Sequence, residues 1–112
     1  MTLGSAQRTF TRHLGTLLTW AHGQGYELTL GDAYRSAEEA QRLAALGVGI
    51  VDSPHRRRLA IDLNLFVEGV YQTTTVAHEP LGVFWESLDP RCTWGGRFTT
   101  RPDGNHYEYR WP

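Results

Sequence analysis

The sequence predicts an α+β domain, a small antiparallel β-sheet with helices packed on it. Three observations carry that expectation. Segments with apolar residues at helical spacing are interleaved with segments that alternate apolar and polar residues. The connections between them are short, and Glu68-Gly69 has the chemistry of a hairpin turn. At 112 residues, the chain has the length of one compact domain, spanning 1–112.

The elements follow in order. Residues 6–22 carry Phe10, Leu14, Leu17, Leu18 and Ala21 on one helical face, and Gly23 and Gly25 end the segment. Tyr26, Leu28 and Leu30 alternate with Glu27 and Thr29, as in a half-buried strand. Ser36 with Glu39 three residues on has the pattern of a capping box. Ala40, Leu43 and Ala44 continue this second helix to about Leu46, where Gly47 stops it.

Residues 47–58 read as a loop. Leu59, Ile61, Leu63 and Leu65 then alternate with Ala60, Asp62 and Asn64 in a strand, and Glu68-Gly69 turns the chain into a returning strand at 70–73. Pro80 suits the first turn of a third helix, buried along Leu81, Phe84, Trp85 and Leu88 and ended by Asp89-Pro90. A Gly/Pro-rich stretch leads to the turn Pro102-Asp103-Gly104, and the last strand runs from His106 to Arg110.

Composition narrows the function. A net charge of -1 supplies no basic field aimed at nucleic acid. A single cysteine, Cys92, excludes an intrachain disulfide and a Cys-rich zinc site, so any metal must be held by His and carboxylate. The opening MTLGSAQRTF lacks a charged segment followed by an apolar one, so no signal peptide is expected. No apolar run approaches the roughly 20 residues of a membrane span, so the chain is expected to be made in the cytoplasm with no membrane insertion.

Alternation turns Asp62 away from Ile61 and Leu63, beside the small Ala60. In the last strand it groups His106, Glu108 and Arg110 on one face, with Tyr107, Tyr109 and Trp111 on the other. His55 stands seven residues before Asp62, in the loop entering that strand. Singly, each fits a solvated sheet face or an ordinary loop histidine. Jointly, two His and a carboxylate on neighbouring strands can form a three-ligand zinc site whose fourth position stays open for catalysis.

Four motifs occur in order: Ser53-Pro-His55, Ala60-Ile-Asp62-Leu63, Trp94-Gly95-Gly96-Arg97-Phe98 and Asp103-Gly-Asn-His106-Tyr-Glu108. Together they resemble the D-alanyl-D-alanine carboxypeptidase and L-alanyl-D-glutamate endolysin family of zinc peptidases. That family includes vancomycin-resistance D,D-peptidases and phage endolysins. Tyr34-Arg35-Ser36 with Glu39 is similar to its arginine motif, so the likeness spans about residues 31–109.

The resemblance implies a hedgehog/D,D-peptidase-like zinc peptidase fold, with Zn2+ held by His55, Asp62 and His106. It implies Asp103 as general base and Arg35 as the group that binds substrate and steadies the oxyanion, with Ser53 hydrogen bonding in the cleft. From the residues alone, Asp103 and Glu108 remain alternatives for the base, since Pro-Asp-Gly is ordinary turn chemistry and Glu108 suits a role orienting a ligand. Two positions depart from the family pattern. Arg58 stands where Gly is usual, and Arg97 where an acidic residue often follows the paired glycines. Both are expected to add positive charge near the cleft.

The implied function is cleavage of a peptide bond in the peptidoglycan stem peptide, of L-Ala-D-Glu endopeptidase or D,D-carboxypeptidase type. The implied setting is phage or prophage lysis, or a virion tail, with a monomer reaching the wall after holin release or virion delivery. The competing reading is a non-catalytic zinc-containing cell-wall binding module. A His/Asp metal-dependent nuclease is disfavoured by the net charge. Trp94 is assigned either to the cleft or to the core. Trp20, Trp85 and Trp111 are assigned to the core or its edge. His13, His22 and His78 are read as structural, Arg56-Arg57-Arg58 as a solvated basic run, and Cys92 has no assigned role.

Overall fold

The computed structural model describes residues 1–112. Helix α1 (Leu3–Gly23), strand β1 (Glu27–Leu30) and helix α2 (Ala37–Ala45) come first. Strands β2 (Ala60–Val67) and β3 (Val70–Tyr71), helix α3 (Glu79–Leu88), and strands β4 (Cys92–Trp94) and β5 (His106–Tyr109) follow. The architecture is α+β, as the residue pattern predicts. No helix is long and apolar enough to cross a membrane.

Strand β2 organises the antiparallel sheet, whose order is β1-β2-β5-β4. β1 pairs with residues 63–66 of β2 along one edge. The other edge is shared, because β5 takes residues 60–62 and β3 takes 66–67. The β2–β3 turn has positive φ at both Glu68 (51°) and Gly69 (78°), as a tight two-residue hairpin requires. The returning strand is only two residues long, shorter than the expected 70–73.

One face of the sheet is the core. Ile61, Leu63 and Leu65 of β2 meet Tyr107 and Tyr109 of β5, and α1 and α3 cover them with Ala6, Phe10, Leu17, Leu81 and Trp85. Phe10 packs edge-on against Trp85 at 5.8 Å. The indole N–H of Trp85 donates to the Glu108 carbonyl (3.1 Å), so the largest core side chain is tied to the backbone of the last strand. His78, 3% exposed, shares a 2.8 Å hydrogen bond with the Tyr107 hydroxyl, and burial lowers its pKa. This fits a structural role for His78.

Local signals held to different degrees. The α1 N-terminus has a reciprocal capping box between Thr2 and Ser5. At α2 only half of the expected box forms. Ser36 accepts from the Glu39 amide at 3.0 Å, but the Glu39 carboxylate turns to Arg42 instead (2.9 and 2.6 Å). Leu30 lies on the core side yet is 67% exposed, because β1 is an edge strand and its end outruns the helical cover.

Strand β4 was not expected from the Gly/Pro-rich sequence around it. Its pairing to β5 sets Trp94 opposite Tyr107. The Trp94 ring is 3% exposed and lies between Gly82 of α3 and Gly96, where a Cβ on either glycine would overlap it. Its N–H donates to the Gly104 carbonyl at 2.8 Å. Gly82→Ala is therefore expected to cost about 1–3 kcal/mol through overpacking. Gly15→Ala, in the interior of α1 with nothing within 4 Å, is expected to stabilise by about 1 kcal/mol. Urea unfolding of the two variants against wild type checks both signs.

Candidate metal centre

The β2–β5 register places Asp62 directly opposite His106, on the sheet face turned away from α1 and α3. His55 arrives from a 3-10 turn, Pro54–Arg57, entered through Ser53. The Ser53 hydroxyl accepts from the His55 amide at 3.2 Å. The two imidazoles are almost fully buried, at 2% and 6% exposure. His55 Nε2 lies 3.3 Å from Asp62 Oδ1, and His106 Nδ1 lies 3.4 Å from the same oxygen. One ligand atom from each residue fits within 4.8 Å of the others.

The far nitrogen of each ring fixes its tautomer. His55 Nδ1 faces the Ala33 carbonyl at 3.1 Å, and that oxygen can only accept. His106 Nε2 faces Glu108 Oε1 at 2.8 Å, again an acceptor. Both protons are thus committed outward, and in the neutral rings both lone pairs turn toward Asp62. Asp62 Oδ1 is buried yet accepts no hydrogen bond. With both rings neutral, three electron pairs converge, an arrangement that costs free energy unless a proton or a metal cation answers it.

The spacing suits zinc. Two donors each about 2.0–2.1 Å from a tetrahedral centre lie about 3.3 Å apart, which is the separation of Asp62 from either His. Two imidazoles and one carboxylate leave one position of four open.

The electrostatics run in the same direction. Burial would raise the Asp62 carboxyl, but His106 and His55 outweigh it and hold it at about 2. Burial also opposes a proton on His106, yet the carboxylates of Asp62 and Glu108 push that ring up to about 9. A proton and a metal ion compete for the same nitrogen, so a site that favours one charge favours the other.

The remaining residues surround this cluster. Gly31 presses on Asp62, where a Cβ would lie 3.0 Å from the Asp62 carbonyl, and its amide donates to that carbonyl at 2.7 Å. Asp32 holds Arg35 at 3.1 Å, and Arg35 Nη1 reaches the Ser53 hydroxyl at 3.5 Å. The Arg35 Nε–H is buried with no acceptor, an unsatisfied donor of the kind that is rare in folded proteins. Sequence reasoning overlooked Gly31, Asp32 and the Ala33 carbonyl, though Gly31-Asp32 carries the signal of a turn.

Glu108 and Asp103 separate clearly. Both Glu108 oxygens are taken, one by His106 and the other by Arg110 Nε at 3.2 Å. Asp103 is exposed as a residue, but protein crowding its carboxyl raises its pKa. Asp62 adds to that rise, while His106, His55 and Arg101 oppose it, so the carboxyl lies within the field of the cluster. Gly95 lets the Asp103 turn close in, since a Cβ there would overlap the Asp103 carbonyl and sit 2.9 Å from His106 Cβ. A cavity of about 200 Å³ opens on the Arg110 side of Glu108 and is lined also by Arg57 and Trp111, without Asp62 or either site histidine.

Three expectations change. Trp94 is a core residue rather than a cleft wall, because its ring is enclosed by the glycines on both sides. Arg97 brings no free positive charge, since its guanidinium pairs closely with Glu86. The basic run is only partly solvated. Arg56 donates to the Val51 carbonyl (3.0 Å), and Arg57 to Asp52 (3.2 Å) and to the Trp111 carbonyl (3.3 Å). Arg58 sits 4.1 Å over the Tyr34 ring. Its φ of 56° is left-handed, which accounts for Gly at this position in the family pattern. That conformation costs about 1–2 kcal/mol for a residue with a Cβ, partly offset by about 0.5–1 kcal/mol from the cation–ring contact.

Comparison with known proteins bears on the family and the fold. A sequence model described as D-alanyl-D-alanine carboxypeptidase matches residues 48–109, just over half of the chain. His55, Asp62, Asp103, His106 and Glu108 fall inside the match, and Arg35 falls outside it. The Serratia marcescens L-Ala D-Glu endopeptidase ChiX superposes with a TM-score of 0.78 at 18% identity, covering 92% of this chain and 79% of that one. The vancomycin resistance D,D-pentapeptidase VanY from a VanB-type resistance cassette, solved as a mutant in complex with Zn(II), gives 0.64 at 18% identity, covering 90% and 70%. At such identities the likeness establishes a shared fold. No curated protein matches the chain.

If Glu108 acts by fixing the His106 tautomer, Glu108→Ala, which removes the acceptor, should weaken zinc binding about 10–100-fold. Competition titration against a chromogenic chelator measures this, and an unchanged affinity would remove Glu108 from the metal's support.

Proposed function

The chain belongs to the D-alanyl-D-alanine carboxypeptidase family, and on that premise we propose that it is a zinc-dependent peptidase cleaving a peptide bond in the peptidoglycan stem peptide. The observation that carries the proposal is the convergence of His55 Nε2, His106 Nδ1 and the unpartnered Asp62 Oδ1. Two bonds fit the likenesses. One is the L-Ala-D-Glu bond, after the activity in the name of ChiX, and the other is a D,D bond, after that of VanY. The resemblance of the motifs to those of phage endolysins supports a place in lysis or in a virion tail.

In this reading His55, Asp62 and His106 hold the ion, which when bound would polarise the scissile carbonyl and acidify water. The chain's own groups do the rest. Asp103 accepts the proton of the attacking water and returns it to the leaving amine, and its raised proton affinity suits that exchange. Burial raises the Glu108 carboxyl, but His106 and Arg110, from which it already accepts, outweigh that and lower its pKa, so it suits proton transfer less than Asp103 does. Arg35, with an Nε–H that lacks an acceptor, receives the carbonyl oxygen as it gains charge.

Mass spectrometry of purified peptidoglycan digested with and without a chelator tests the whole. New stem-peptide fragments that vanish with the chelator are expected. No fragments in either sample would favour the binding-module reading. Asp103→Asn should keep zinc and lose about 10²–10⁴-fold in kcat. Arg35→Ala should keep zinc and lose about 10²–10³-fold, and a near-normal kcat would remove Arg35 from the mechanism.

A further inference from the structure

Between α2 and the turn that carries His55, the chain exposes four aliphatic side chains within six residues. Leu46 is 63% exposed, Val48 62%, Ile50 61% and Val51 47%. Aliphatic groups this exposed, and this close together, mark a surface that meets something. Two contacts place the segment. A Cβ on Gly49 would lie 3.7 Å from Arg35 Nη1. Arg101, two residues before Asp103, donates to the Gly47 carbonyl at 2.7 Å. The loop therefore bridges Arg35 on one side and the Asp103 turn on the other, and its far end is pinned by Arg56 on the Val51 carbonyl.

The geometry points to residues 46–51 as an apolar wall of the substrate cleft. There Val48 and Ile50 select an aliphatic side chain on one of the two residues flanking the scissile bond. The inference rests on the peptidase reading of Arg35 and Asp103, because those two residues make the loop continuous with the reacting bond. The occupant is apolar, since the loop itself offers only aliphatic groups and glycine, while the charge beside it belongs to Arg35, and in both proposed bonds the apolar residue is alanine.

The test uses the zinc-loaded full chain and short peptides spanning the cleaved bond, with Ala replaced by Gly on one side of the bond at a time. On one side, wild type should prefer Ala by about 10-fold or more in kcat/KM, as a methyl group in an apolar site provides. In Val48→Ser/Ile50→Ser that ratio should fall to near unity, with zinc affinity and the far-ultraviolet spectrum unchanged. Arg101→Ala, which frees the loop from the Asp103 turn, should lower the same ratio. An unchanged ratio in the double variant overturns the inference while leaving the peptidase reading standing. So does a ratio unchanged alongside an altered oligomeric state, which would assign the patch to a second copy of the chain. No cleavage of any peptide by wild type overturns both.

Discussion

The pairing of β2 with β5, in the register that sets Asp62 opposite His106, governs both faces of the sheet. On one side it delivers Ile61, Leu63 and Tyr107 to the core, and on the other it brings two candidate metal ligands together. A slip of one residue would exchange the faces. Turning out Ile61, Leu63 and Leu65 would forfeit about 1.5–3 kcal/mol each, comparable in sum to the 5–15 kcal/mol that typically stabilises a domain. The hydrophobic core thus holds the register. The site can crowd two imidazoles and a carboxylate together because the opposite face enforces their positions.

From that register outward, orientation passes through a chain of acceptors. Arg110 and His106 both donate to Glu108, and Ala33 holds His55. His55 in turn accepts, through its own carbonyl, the amide of Arg35 at 3.1 Å. The segment that carries Arg35 and the turn that carries His55 are therefore hydrogen-bonded to each other before any ligand arrives. This is preorganisation in a concrete sense, since the groups that would meet substrate and metal are ordered at the cost of folding.

Much of this was legible in the residues. Alternation located β2 and β5 and turned Asp62 and His106 away from their apolar neighbours, because a period of two is legible even in short strands. Strand β4 was not legible. It is three residues long, bordered by glycines, and made a strand only by pairing with β5. The half-formed cap at α2 shows the limit of local rules, for Glu39 had Arg42 as a charged competitor one turn away. The environments of Arg58 and Arg97 could not be read either, because Tyr34 and Glu86 lie beside them only after folding. Backbone acceptors such as Ala33 leave no trace in side-chain identity at all.

The enclosed ring of Trp94 has a consequence for how such a chain drifts through evolution. Positions 82, 94 and 96 jointly occupy one close-packed volume, with both glycines pressed against the indole. Neither glycine can enlarge while the aromatic stays, and a smaller side chain at 94 would open a gap that larger residues at 82 or 96 could fill. Substitutions at these three positions should therefore travel together among relatives, tying a site in α3 to one beyond β4 that is far from it along the chain.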